Sequence, residues 1–168
     1  MKFSLAQVPE FYQGYIRQVG DTDLITLLKE SGSDVVALCE HLTEPQALYR
    51  YAENKWSIKD LIQHLIDSER VFVYRAMRFA RNDQTELSGF DQDDYVREVF
   101  ADKFSMQELV TAFSNVRQTT IDLFTSLSES ELLRGGKSNG VEMTVEMIGF
   151  IIGGHTRHHQ MVIREKYL

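Results

Sequence analysis

Apolar residues recur at three- and four-residue spacing through most of the chain, and the stretches open on residues able to cap a helix. Between residues 22 and 42, Leu24, Leu28, Ser31, Val35, Leu38 and Leu42 share one helical face, with Gly32 a weak point in it. Ser57 and Asp60 form a capping pair, after which Ile58, Leu61, Leu65, Ser68, Phe72 and Phe79 trace a stripe to about residue 81. Ser105 and Glu108 repeat the signal ahead of Met106, Val110, Phe113, Thr120, Phe124 and Leu127, a stripe that also carries Arg117. Residues 141–147 alternate as a strand would, but Val145, Ile148, Ile152, His155, His159 and Val162 keep helical period, which predicts a helix over 145–167. A short turn at 130–133 is capped by Ser128 with Glu131 and ended by Gly135 and Gly136.

Each of these helices can bury one face only against its neighbours, so the economical architecture is an all-α four-helix bundle, a single domain over residues 1–168. The segment 82–104 is a long loop for a bundle, enough to cross it and leave the second and third helices parallel. Its Glu86, Asp91, Asp93, Asp94, Glu98 and Asp102 read first as a solvated acidic surface rather than a cation-binding loop, because the twelve-residue calcium pattern is missing.

A chain of 168 residues with 43% hydrophobic positions can bury a core without help from a metal, so any metal would serve chemistry. The formal charge of −7 argues against nucleic acid and anionic membrane as partners. The lone Cys39 excludes an internal disulfide, residues 1–12 lack the pattern of a secretory signal, and the apolar run 147–154 is too short to span a bilayer. A cytoplasmic, soluble protein is the expectation.

Of the five histidines, His41 reads as a surface or capping residue. His155 and His159, four apart on an apolar stripe, have the spacing of paired metal ligands; the plainer reading is a core pair held by hydroxyls or carboxylates. His64 lies on the inward sector of the second helix and could supply a third imidazole, giving an open site of catalytic type. His158 could replace His159 as ligand but lies on a neighbouring stripe, so His159 is preferred; His158 reads as a packing or exposed residue, with support of a ligand or contact with a substrate as its functional alternative. Gly153 and Gly154 suggest either close helix approach or access to an ion.

Three segments, KWSIKDLIQHLIDSERVFVYRAMRFARND (55–83), LSGFDQDDY after it and GGHTRHHQMVIREKYL (153–168), resemble the DinB superfamily, in particular its YfiT-like branch. The resemblance implies a bundle of up-down-down-up topology holding one divalent metal, zinc or nickel, on three histidines that map to His64, His155 and His159. It further implies either a metal-dependent hydrolase or an enzyme that transfers or isomerises through a low-molecular-weight thiol such as bacillithiol or mycothiol.

Such an enzyme would act on a small molecule, with a metal-activated water or thiol as nucleophile. The competing reading is a non-catalytic metal-binding stress-response module that recognises a small molecule or a protein, and a homodimer is left open. Asp67 and Glu165 are weighed as general bases against the plainer reading of surface carboxylates. Arg70, Arg75, Arg81 and Arg117 are weighed as anion binders, Arg70 and Arg81 being read as salt-bridge partners and the other two left open. Trp56 and Tyr74 are read as core, and Cys39 as inert packing.

Overall fold

The computed structural model describes residues 1–168. Eight helices are α1 (Glu10–Ile16), α2 (Leu24–Cys39), α3 (Glu44–Leu48), α4 (Ile58–Ala80), α5 (Gln92–Val99), α6 (Met106–Ser126), α7 (Glu129–Leu132) and α8 (Val145–Lys166), with strands β1 (Gly135–Ser138) and β2 (Val141–Thr144) between the last two. The four long helices are those the periodicity predicts, to within three residues at each end. Two starts are fixed as read, Ser57 accepting from the Asp60 amide and Ser105 from the Glu108 amide; the structure adds Thr144, which accepts from the Met147 amide, and Asp23, which caps α2.

Two expectations change. The strand-like alternation at 141–147 is a strand up to Thr144, which pairs with Gly135 in an antiparallel hairpin and then caps α8. Asn139 and Gly140 close that hairpin at φ 51° and 77°, a two-residue turn with both residues left-handed. The segment 82–104, expected as a loop, contains α5, capped by the Asp91 carboxylate on the Asp93 and Asp94 amides, and Leu87 pairs with Ser138 beside the hairpin. Part of the acidic cluster is thus helix-capping chemistry.

In the bundle, α2 packs on α6 and α8, and α4 packs on the same two helices from the other side. The Tyr167 hydroxyl donates to the Trp56 carbonyl at 2.6 Å, placing the end of α8 beside the start of α4, and Gly136 lies on Phe79 near the opposite ends. The core divides into an 18-residue apolar cluster around Leu28, Phe72, Phe124 and Ile152 and an 11-residue cluster around Val35, Leu65, Phe113 and Ile163. Between them lies a buried polar layer. Ser31 comes from α2, His64, Ser68 and Glu69 from α4, Arg117 and Thr120 from α6, and His155, Thr156, His159 and Gln160 from α8.

Arg117 organises one half of that layer. Its Nε and Nη2 donate to the two Glu69 oxygens at 2.8 Å, its Nη1 to the Leu28 carbonyl at 2.7 Å and Ser31 at 2.8 Å, and its Nη2 to Thr156 at 2.8 Å. One guanidinium thereby ties α6 to α2, α4 and α8.

Candidate metal centre

The other half of the layer is a cluster of imidazoles. His64 sits in the second turn of α4, and α8 presents His155 and His159 one turn apart toward it. The His155 Nε2 lies 3.0 Å from the His64 Nε2 and 2.9 Å from the His159 Nε2, and the ligand atoms of all three lie within 4.8 Å of one another. Their relative exposures are 3%, 5% and 9% for His64, His155 and His159. Burial pushes His64 down to about 4 and holds His155 and His159 well below the usual imidazole range, their neighbouring imidazoles adding to it. At neutral pH the rings are therefore uncharged, the state that binds a metal.

The donor set fits a divalent ion. Tetrahedral coordination at the usual Zn–N length needs nitrogens about 3.3 Å apart, a small spreading for the two pairs that His155 makes with His64 and His159, and within the 4.8 Å that bounds the third pair. The His64 Nδ1 is 3.3 Å from the Ser68 hydroxyl, which can fix the tautomer that turns the Nε2 lone pair inward. The buried His159 Nδ1 has no hydrogen-bond partner. His158 stays outside the cluster, half-buried against Tyr15 and His159 at ring distances of 5.4 and 5.1 Å.

A cleft of about 520 Å³ opens onto His64 and His155, its walls including Tyr12 and Tyr15 from α1, Phe72 and Arg75 from α4, and Phe90 and Asp93 from the segment before α6. A smaller cavity of about 290 Å³ reaches His158 and His159 past Trp56 and Asp93. Tyr15 covers the His155 ring at 4.9 Å, so α1, which the sequence reading left out, seals one side of the cluster. Close approach, rather than room for an ion, accounts for the glycines before His155. A Cβ on Gly154 would lie 2.2 Å from the Tyr15 carbonyl oxygen, and one on Gly153 2.4 Å from the Leu27 side chain.

The remaining candidates separate cleanly. Asp67 bonds Gln63 and Arg70 outside both cavities, and Glu165 is exposed on α8; the carboxylates that do line the main cleft are Glu10, Asp91 and Asp93. Arg70 and Arg81 pair with Asp67 and Glu131 as read. Arg117 is consumed by Glu69, whereas Arg75 is buried in the cleft wall without a carboxylate. Tyr74, expected in the core, is exposed and lies under Arg78, and Trp56 stands against His64 at 4.8 Å as part of the site's wall. Cys39 is buried and His41 is exposed just past α2, both as expected.

The sequence profile of the DinB superfamily matches residues 27–163, which includes all three clustered histidines. The chain belongs to the DinB superfamily. Among solved structures, this DinB-superfamily chain is similar to YfiT from Bacillus subtilis, described as a probable metal-dependent hydrolase with an unusual four-helix bundle topology. The two are 18% identical, the match covers 84% of this chain and 82% of that one, and the TM-score is 0.77. At that identity the likeness speaks to the bundle alone. No curated protein matches the chain.

Proposed function

We propose that this DinB-superfamily chain, folded as one domain, is a metal-dependent enzyme acting on a small molecule, with His64, His155 and His159 holding one zinc or nickel ion. The observation that carries the reading is the convergence of three buried imidazoles, two of which, His64 and His155, line an open cleft while His159 borders a smaller cavity beside it. The bundle is taken in the up-down-down-up order, supported by the Trp56–Tyr167 contact between the start of α4 and the end of α8, and by Gly149 near the start of α8 meeting Leu24 at the start of α2 and Phe124 near the end of α6. A bound divalent ion supplies a lowered pKa to a coordinated water or low-molecular-weight thiol, and so a nucleophile near neutral pH.

The chain's own residues do the rest. Ser68 holds His64 by its Nδ1, Tyr15 and Trp56 keep bulk water from the ring faces, and Asp93, the one carboxylate that borders both cavities, is assigned the role of accepting a proton from an entering nucleophile. Elemental analysis of wild type beside His64→Ala and His159→Ala tests the site: about one metal per chain, lost in both variants, is expected. Metal retained in both variants, or absent from wild type after reconstitution, refutes it. Ester hydrolysis and thiol transfer to an electrophile, each assayed with and without metal, separate the two reactions.

A further inference from the structure

Arg75 lies 2% exposed in the wall of the main cleft, yet no carboxylate of the chain pairs with it. Its Nη2 donates to the Ser88 carbonyl at 2.9 Å, and its guanidinium carbon rests 5.8 Å from the Phe72 ring centre and 5.9 Å from that of Phe90. A buried cation normally has an anionic partner, as Arg117 has in Glu69. Tyr12, beside Arg75, does not supply one, because burial raises its phenol above the ordinary range and keeps it neutral. The guanidinium has five N–H donors; the Ser88 carbonyl takes one and the Tyr12 hydroxyl is placed to take another, which leaves up to three for a ligand.

The position of this cation relative to the imidazoles sets what it can hold. Along α4, His64, Ser68, Phe72 and Arg75 fall on one stripe facing the cleft, and a helical side chain leans toward the helix N-terminus, here toward His64. The Phe72 ring that carries the guanidinium is 6.4 Å from the His155 ring, so cation and imidazole are no more than about 12 Å apart across an aromatic floor.

We propose that Arg75 is the carboxylate-binding subsite of this cleft: the molecule that enters carries one carboxylate on Arg75, an apolar body over Phe72 and Phe90, and its reacting group at His64 and His155. The proposal rests on the metal-site reading for the identity of the reacting end only. A planar carboxylate matches the guanidinium fork with two parallel hydrogen bonds. A doubly charged phosphate is disfavoured by Glu10, Asp91 and Asp93, which stand around the same cleft.

The test is calorimetric titration of the full chain with 3-phenylpropionate, 3-phenylpropionamide and phenyl phosphate, with metal content measured on each sample. Wild type is expected to bind the acid at least tenfold tighter than the amide, and Arg75→Met to lose that preference while keeping its metal. Arg75→Lys, which keeps the charge and loses the fork, should fall between them, and it carries the test if Arg75→Met fails to fold by circular dichroism. His64→Ala should lose metal and retain the Arg75-dependent preference. Equal binding of acid and amide by wild type, or a preference undiminished by replacing Arg75, overturns the subsite whatever the metal content. Tighter, Arg75-dependent binding of phenyl phosphate overturns the choice of carboxylate. An intact acid preference in a wild type that takes up no metal leaves the subsite standing and removes the metal-dependent reading instead.

Discussion

Replacing Glu69 by leucine should destabilise the protein severely, and the structure says by how much. The substitution removes the two Glu69 oxygens that accept from the Arg117 Nε and Nη2 at 2.8 Å and from the Thr120 hydroxyl at 2.6 Å, leaves that hydroxyl its Val116 carbonyl at 3.0 Å, and leaves a cation in the centre of the bundle. Breaking a buried ion pair from one side costs about 3–5 kcal/mol. The Leu28, Ser31 and Thr156 oxygens still face the guanidinium, which argues for the lower half of that range. For a chain of this size a loss of about 3–4 kcal/mol corresponds to a fall in Tm of roughly 6–16 °C. Arg117→Met should cost a similar amount by stranding the Glu69 carboxylate. The double variant, with both charges gone and apolar volume in place, should recover at least about 2 kcal/mol of the summed losses. Urea titrations followed by circular dichroism, with Trp56 fluorescence as a second probe, give all four corners of the cycle. Single variants within about 1 kcal/mol of wild type, or strict additivity in the double, would refute the claim that this pair governs the middle of the bundle.

Three further outcomes are expected. Gly154→Ala should cost about 1–3 kcal/mol, less the propensity gain, since its Cβ meets the Tyr15 backbone oxygen at 2.2 Å; hydrogen exchange should show α1 loosened. Gly14→Ala in the same helix, with nothing within 4 Å, should instead stabilise by about 0.5–1 kcal/mol, and equal effects at the two sites would be inconsistent with the packing. Cys39, whose thiol burial pushes up to about 12, should react with iodoacetamide at pH 8 at least about a thousandfold more slowly in the native protein than in denaturant, by mass spectrometry.

How far the sequence reaches depends on where each residue's partner lies. The long helices and the three imidazoles are legible because the evidence is local: a cap, a period, and two histidines one turn apart on an apolar face. The hairpin carries a signal of its own in Asn139-Gly140, but its second strand runs without a break into the helical period that starts at Val145, which masks it. Arg75 and Arg117 could not be told apart, since both lie near inward stripes. Arg117 is neutralised by Glu69, 48 residues away and beside rather than on the stripe traced through Ser68 and Phe72. Nor does any pattern in residues 1–20 announce that Tyr15 will lie on His155; that contact exists because Gly154 lets the two backbones touch.

The ion-pair network and the imidazole cluster occupy one layer, and this explains why a stable bundle would interrupt its core there. Apolar contacts between helices tolerate axial sliding, whereas a guanidinium bonded to three other helices does not, so a polar layer fixes register. Thr156, which accepts from Arg117 and donates to the Ile152 carbonyl at 2.9 Å, is the residue next to His155. Glu69 lies five positions after His64 on α4. Holding Thr156 and Glu69 to the same arginine therefore sets the height of His155 against His64, and their 3.0 Å approach is inherited from it. A Thr156→Val variant, nearly isosteric and out of reach of the cleft, should then keep its helical content yet bind zinc about 10-fold or more weakly, as competition with a chromogenic chelator would show. Unchanged affinity would mean that the two α8 histidines are positioned by their apolar neighbours alone, and that the network serves stability without serving the site.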